Sequence, residues 1–123
     1  MFSLAFDPKR RIMTITGEGL WTLATLTRFS AEVLAYGMVQ RARYGPFAVL
    51  NDVRRMPVQS AHVTSGLEVV IARGRAIATA PIAAVVSGVL PKLQVERILR
   101  GDHSRVFLSM DEAEGWLAER WTP

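Results

Sequence analysis

The sequence predicts an α/β domain: a three-layer sandwich on a mostly parallel sheet with one antiparallel edge strand. Three observations carry this prediction. In the stretch Phe47-Ala48-Val49-Leu50-Asn51-Asp52-Val53-Arg54-Arg55, four apolar residues run without a polar break. A strand buried on both faces has that pattern, and such strands lie inside a sheet covered by helices. Ile82-Ala83-Ala84-Val85-Val86-Ser87 repeats it. The segments between these runs have helical apolar spacing, which gives the order ββαβαβαβα in a single domain spanning residues 1–123. Right-handed β-α-β crossovers then make most strands parallel and put helices on both faces.

Taken in order, Phe2, Leu4 and Phe6 alternate with Ser3 and Ala5, so the chain opens as a strand with one buried face. Asp7-Pro8-Lys9-Arg10 is a tight turn, with Asp at its first position and Pro at its second. Arg11 to Thr16 returns as the second strand of a hairpin. After Gly17-Glu18-Gly19, a long helix is expected from Thr22, its N-cap, to about Arg43, where Gly45-Pro46 stops it. Its inner stripe is Leu26, Phe29, Val33 and Tyr36, widened by Leu23, Leu34 and Met38. The strand Phe47 to Asp52 leads into a loop, Val53 to Pro57.

A second helix is expected from about Gln59 to Thr79, facing inward with Val63, Leu67, Val70, Ile71, Gly74 and Ile77. Gly66 and Gly74 each weaken it by about 1 kcal/mol relative to Ala, which a close approach to a neighbouring element would explain. The strand Ile82 to Ser87 follows, then a third helix from about Leu90 to Arg100 that carries Leu93, Ile98 and Leu99. Arg105 to Leu108 is the last strand. Ser109-Met110-Asp111-Glu112 reads as a capping box that opens a final helix bearing Ala113, Trp116, Leu117 and Trp121.

Composition narrows the chemistry. The chain of 123 residues is half hydrophobic and 21% charged, as a globular domain with a proper core would be. It has no cysteine, which excludes disulfides, thiolate metal sites and cysteine nucleophiles. No signal peptide or membrane span is visible, so a cytoplasmic protein is expected. The net charge of +4 is spread over scattered pairs such as Arg10-Arg11 and Arg73 with Arg75, without interleaved aromatics. That pattern suits a solvated surface, and no nucleic acid is expected as partner. Phe2 and Trp121 lie near the two termini, where a small domain has little core to cover them, so a homodimer is expected.

Candidate site residues follow from topology. Loops after parallel strands gather at one edge of the sheet. This brings Glu18, Trp21 and Thr22 towards Asn51, Asp52, Arg54 and Arg55, then Ser87 and Gly88, then Ser109 and Asp111. Trp21, Asn51, Asp52, Arg54, Arg55 and Ser87 are the candidate ligand or partner residues. Helix-start amides with Arg54 or Arg55 are able to hold an anion. The competing reading is architectural: Asp52 pairs with an arginine and fixes its loop, while Thr22 and Ser109 cap helices. His62 and His103 have no second ligand at metal spacing, so neither a metal nor a cofactor is expected. No Gly-x-Ser-x-Gly elbow, complete dinucleotide fingerprint or phosphate loop is present, and a non-enzymatic protein is expected.

Gly19-Leu20-Trp21-Thr22, Leu50-Asn51-Asp52-Val53-Arg54, and Arg105-Val106-Phe107-Leu108 followed by Glu112-Ala113-Glu114-Gly115-Trp116-Leu117, together with the element order, resemble the STAS/SpoIIAA-like proteins. The nearer likeness is to the uncharacterised bacterial SpoIIAA-like group. The resemblance implies a regulatory or protein-interaction domain. Its comparison with CRAL-TRIO lipid carriers implies an alternative, a carrier of a small apolar or lipid-like ligand. In the antagonists of this family a serine in an Asp-Ser-Ser-Gly turn is phosphorylated. The nearest counterpart is Val63-Thr64-Ser65-Gly66-Leu67, which makes Ser65 the corresponding candidate, although the leading aspartate is missing and Ser65 falls within the expected helix.

Overall fold

Five strands form one sheet in the order β1-β2-β3-β4-β5 in the computed structural model, which describes all of residues 1–123. The strands are β1 (Phe2–Asp7), β2 (Ile12–Glu18), β3 (Phe47–Arg55), β4 (Thr79–Val85) and β5 (Ser104–Phe107). The helices are α1 (Leu23–Tyr44), α2 (Ala61–Ala78), α3 (Val89–Ile98) and α4 (Met110–Arg120). Only β1 pairs antiparallel, with β2; the other three pairings are parallel. No helix is long and apolar enough to cross a membrane.

Sequential strand order decides where the helices go. Each of the three crossovers joins neighbouring parallel strands, and right-handed crossovers in one direction put their helices on one face. So α1, α2 and α3 share a core with Met13, Ile15, Val49, Ile82, Ala84 and Val86, whereas α4 alone covers Ile12, Ala48, Leu50, Ala83 and Val85. The expected three layers are present, divided three helices to one. Because the strand order never reverses, this sheet has no topological switch-point crevice.

Local signals account for most element ends. Thr22 caps α1 by accepting from the Thr25 N–H, and Gly45, at φ 82°, donates back to Arg41 O. Ser60 caps α2, which starts at Ala61 rather than at about Gln59, because its hydroxyl accepts from the Val63 N–H. α2 ends on Thr79 in the left-handed conformation and passes straight into β4 without a loop. Arg41 supports that junction by donating to Thr79 Oγ1 at 2.9 Å. β3 runs on to Arg55, through the segment expected to be a loop. Half of the expected capping box forms: Ser109 accepts from the Glu112 N–H, but the Ser109 N–H does not donate to the Glu112 side chain.

Three expectations are corrected. Leu23, Met38 and Leu93 are exposed rather than part of the inner faces, since α1 and α3 pack on the sheet over narrower stripes. Of the two α2 glycines, only Gly66 marks a close approach: an added Cβ would lie 2.2 Å from Leu26 Cδ2, whereas at Gly74 it would meet nothing within 4 Å. The aromatics near the termini are covered within the chain. Phe2 packs edge-on to Phe29, with ring centroids 5.1 Å apart, and Trp121 Nε1 donates to Arg10 O at 2.9 Å. Both are half-buried there, so they are not the wholly uncovered aromatics expected at the termini.

Candidate binding site at the carboxyl edge of the sheet

The six candidate residues fall on different sides of the sheet. Side chains alternate along β3, so Asn51 points towards α1 and α2, while Asp52 and Arg54 point to the opposite face. Residues two apart on a strand share a face. Accordingly, Arg54 Nε and Nη2 grip the Asp52 carboxylate at 2.9 Å each, and the Arg54 N–H adds a weaker third contact at 3.4 Å. This paired guanidinium holds the Asp52 carboxyl below its ordinary value near 3.8, against the opposing effect of partial burial. The same pairing raises Arg54. Ser87 Oγ donates to Arg54 O at 2.6 Å, which ties the end of β3 to the chain beyond β4. The geometry is that of a clamp. Arg55 is exposed, and its Nη1 lies 3.9 Å from Glu18 Oε2.

Trp21 and Asn51 belong to a different arrangement. Trp21 is buried, its ring 4.9 Å from that of Phe29, with its indole N–H donating to Glu18 O. Together with Ile15, Phe29, Ile71, Ala84 and Val86 it helps wall an apolar cavity of about 80 Å³ between the helices and the sheet. A second cavity of about 50 Å³ continues towards Phe47 and Gly74. Ile15, Phe29, Asn51 and Ile71 line both, so the two abut. Asn51 Nδ2 donates to Ala83 O at 3.2 Å, which turns Oδ1 away from that carbonyl, and Oδ1 accepts nothing from the protein.

A residue not singled out from the sequence organises this edge. Gln59 is 7% exposed and uses every polar group it has. Its Oε1 accepts from the Trp21 N–H at 2.8 Å, and its Nε2 donates to Gly19 O at 3.1 Å and Pro57 O at 2.8 Å. Its backbone N–H and C=O are paired by the Gln94 side chain at 2.8 and 3.0 Å. One glutamine thereby joins the β2–α1 and β3–α2 connections to α3. The exposed apolar residues Leu20, Leu23, Val58, Val89, Leu90 and Leu93 lie on or beside these segments.

Ser65 is exposed on α2 and lies within the helix, as expected. No cluster of three His, Asp or Glu side chains has the geometry to hold a metal ion.

The fold is SpoIIAA-like. The chain is similar to the crystal structure of an uncharacterised protein of the DUF3478 family with a SpoIIAA-like fold from Shewanella loihica PV-4. The two align with a TM-score of 0.65 over 94% of this chain and 93% of that one, at 14% identity. No family model matches the sequence, and no curated protein matches it.

Proposed function

We propose that this domain is a non-enzymatic regulatory or protein-interaction module, and that its partner docks on the carboxyl edge of the sheet. The observation that carries the reading is the set of large apolar side chains left in water there. Leu20, on the β2–α1 connection, is 70% exposed and Leu90, in the first turn of α3, 69%, and Gln59 joins these two segments. Exposed apolar residues gathered on one side of a small domain mark an interaction surface more often than a random scatter does. Their backbone is held by buried hydrogen bonds, so little ordering entropy remains to be lost on binding. Asp52 and Arg54 satisfy each other on the sheet's other face, which supports their role as a structural clamp.

The test is a quantitative pull-down from the source cell with three baits: the wild type, Leu20→Ser/Leu90→Ser, and Asp52→Asn. The reading expects proteins retained by the wild type and by Asp52→Asn to be lost from the serine double variant at an unchanged melting temperature. Equal retention by the double variant, or loss from Asp52→Asn alone, would overturn it.

A further inference from the structure

The two edges of the sheet differ in how they are closed. An edge strand presents unpaired N–H and C=O groups, which native domains shield with charge, proline, bulges or brevity. β5 follows that rule, being four residues long with Arg105 within it. β1 does not. It runs six residues, pairs with β2 alone in unbroken register, and holds no Lys, Arg or Pro. Antiparallel pairs alternate between residues that exchange both backbone bonds and residues that exchange none. Met1 and Glu18 exchange both, at 3.2 and 3.0 Å, so by alternation Ser3 and Ala5 bond inward to β2. The N–H and C=O groups of Phe2, Leu4 and Phe6 therefore point outwards without a strand partner. The face of β1 away from α1 is open too: exposed Ser3 and Ala5 lie beside Thr16 and Thr14, flat and uncharged.

We propose that β1 is a dimerisation edge, on which two copies of the chain pair β1 against β1, antiparallel about a two-fold axis at Leu4, so that their sheets join as one. The edge is its own complement. Leu4 exchanges both backbone bonds with Leu4 of the second copy, and Phe2 does so with Phe6, which uses every outward N–H and C=O. On one face half-buried Phe2 then lies beside Phe6, extending the core under α1 across the joint. On the other face Ser3 stands opposite Ala5, so no like charges oppose each other. The charges of α1 match as well. Arg28, over the Phe2 ring, marks the flank of α1 nearest β1, and helical spacing puts Glu32 and Arg43 on that flank. Both are exposed, and the two-fold sets the half of α1 with Glu32 beside the half with Arg43. An unrelated strand would share the hydrogen bonds but none of this two-fold matching, so the occupant is a second copy. The parallel strands of the two copies run in opposite directions, which leaves both carboxyl edges open and facing opposite ways. The dimer goes beyond the docking reading and does not rest on it.

Sedimentation equilibrium and amide hydrogen exchange on the whole chain test the pairing. The wild type at high micromolar concentration is expected to have twice the chain mass. In that dimer the Leu4 and Phe6 amides should exchange at least about tenfold more slowly than after dilution to monomer, because only the pairing protects them. The Ser3 and Ala5 amides, already bonded to β2, should change far less. Two double variants then read the register through side chains that lie in water. Ser3→Lys/Ala5→Lys sets like charges opposite each other and should give a folded monomer. Ser3→Lys/Ala5→Glu sets opposite charges across the axis and should restore the dimer. A wild-type monomer at high micromolar concentration would overturn the proposal. A dimer whose Leu4 amide exchanges freely, or equal association of the two double variants, would do the same. The exchange measurement on the wild type needs no variant. None of these results bears on the pull-down, which reads a different edge of the sheet.

Discussion

Gln59 and Gln94 are joined by two hydrogen bonds, between the backbone N–H and C=O of Gln59 and the side-chain amide of Gln94. The Gln59 N–H donates to Gln94 Oε1 at 2.8 Å, and Gln94 Nε2 donates to Gln59 O at 3.0 Å. The pair joins α3 to the segment before α2, across 35 residues of sequence. Replacing Gln59 by Leu keeps the bulk but orphans the buried Trp21 N–H and two carbonyls. An unsatisfied buried group costs about 1–3 kcal/mol and each lost bond about 1 kcal/mol. Gln59→Leu should therefore lower unfolding free energy by about 2–4 kcal/mol, measured by urea denaturation. Gln59→Leu and Gln94→Leu should couple rather than add, since the two residues share contacts.

The Asp52 clamp makes a prediction about pH. Its folded carboxyl titrates below the ordinary value near 3.8 because Arg54 pairs with it. A lowered folded pKa contributes stability that is complete above the unfolded value and is lost as pH falls through the folded one. Asp52→Asn should then melt below the wild type by a constant margin above about pH 5, and the margin should close as the pH is brought below the ordinary value. Arg54→Gln removes the same pairing and leaves the carboxylate without its partner, so it too should melt below the wild type at neutral pH, by the modest margin that a half-exposed pair carries. A margin that widens on acidification would contradict the assignment.

The glycines of α2 should respond with opposite signs. Gly74→Ala removes unfolded-state freedom and meets open space, so it should stabilise by about 0.5–1 kcal/mol. Gly66→Ala drives a methyl group into Leu26 and should destabilise by about 1–3 kcal/mol. Thermal unfolding of the two variants side by side decides the matter.

Val85 tests the two-faced strand. It is fully buried against the α4 side, while its neighbours Ala84 and Val86 face the other core. Val85→Asp places a carboxylate where no route to water exists and should cost several kcal/mol, comparable with the stability of a small domain. Expression of a folded Val85→Asp protein with an unchanged melting temperature would show that β4 is not central.

Much of this architecture can be read from local chemistry. Phe47 to Leu50 and Ile82 to Val86 identify themselves as central strands because both faces are apolar, and Thr22 and Gly45 mark the ends of α1 through capping. The pairing of Asp52 with Arg54 was also foreseeable, since alternate residues of a strand share a face. Gln59 was not. A lone glutamine before a helix has no periodicity, and its partners lie 35 to 40 residues away except for Pro57. Leu23, Met38 and Leu93 were misplaced for a related reason. Spacing reveals that a helix is amphipathic, but the width of its buried stripe depends on how three helices share one face of a sheet. The cavities have no sequence signal either, because the residues that line them are ordinary core residues.

The central claim is that one buried glutamine holds the connections that build the candidate binding edge. Amide hydrogen exchange on Gln59→Leu tests it most directly, since the Trp21 N–H donates to Gln59 Oε1. Local opening is expected to accelerate exchange at Trp21 and in the first turns of α1 and α3, well beyond the change in global stability. Amides of Val85, Phe107 and α4, on the far side of the sheet, should follow global stability alone. Uniform acceleration over the whole chain, with no excess at Trp21, would contradict the claim.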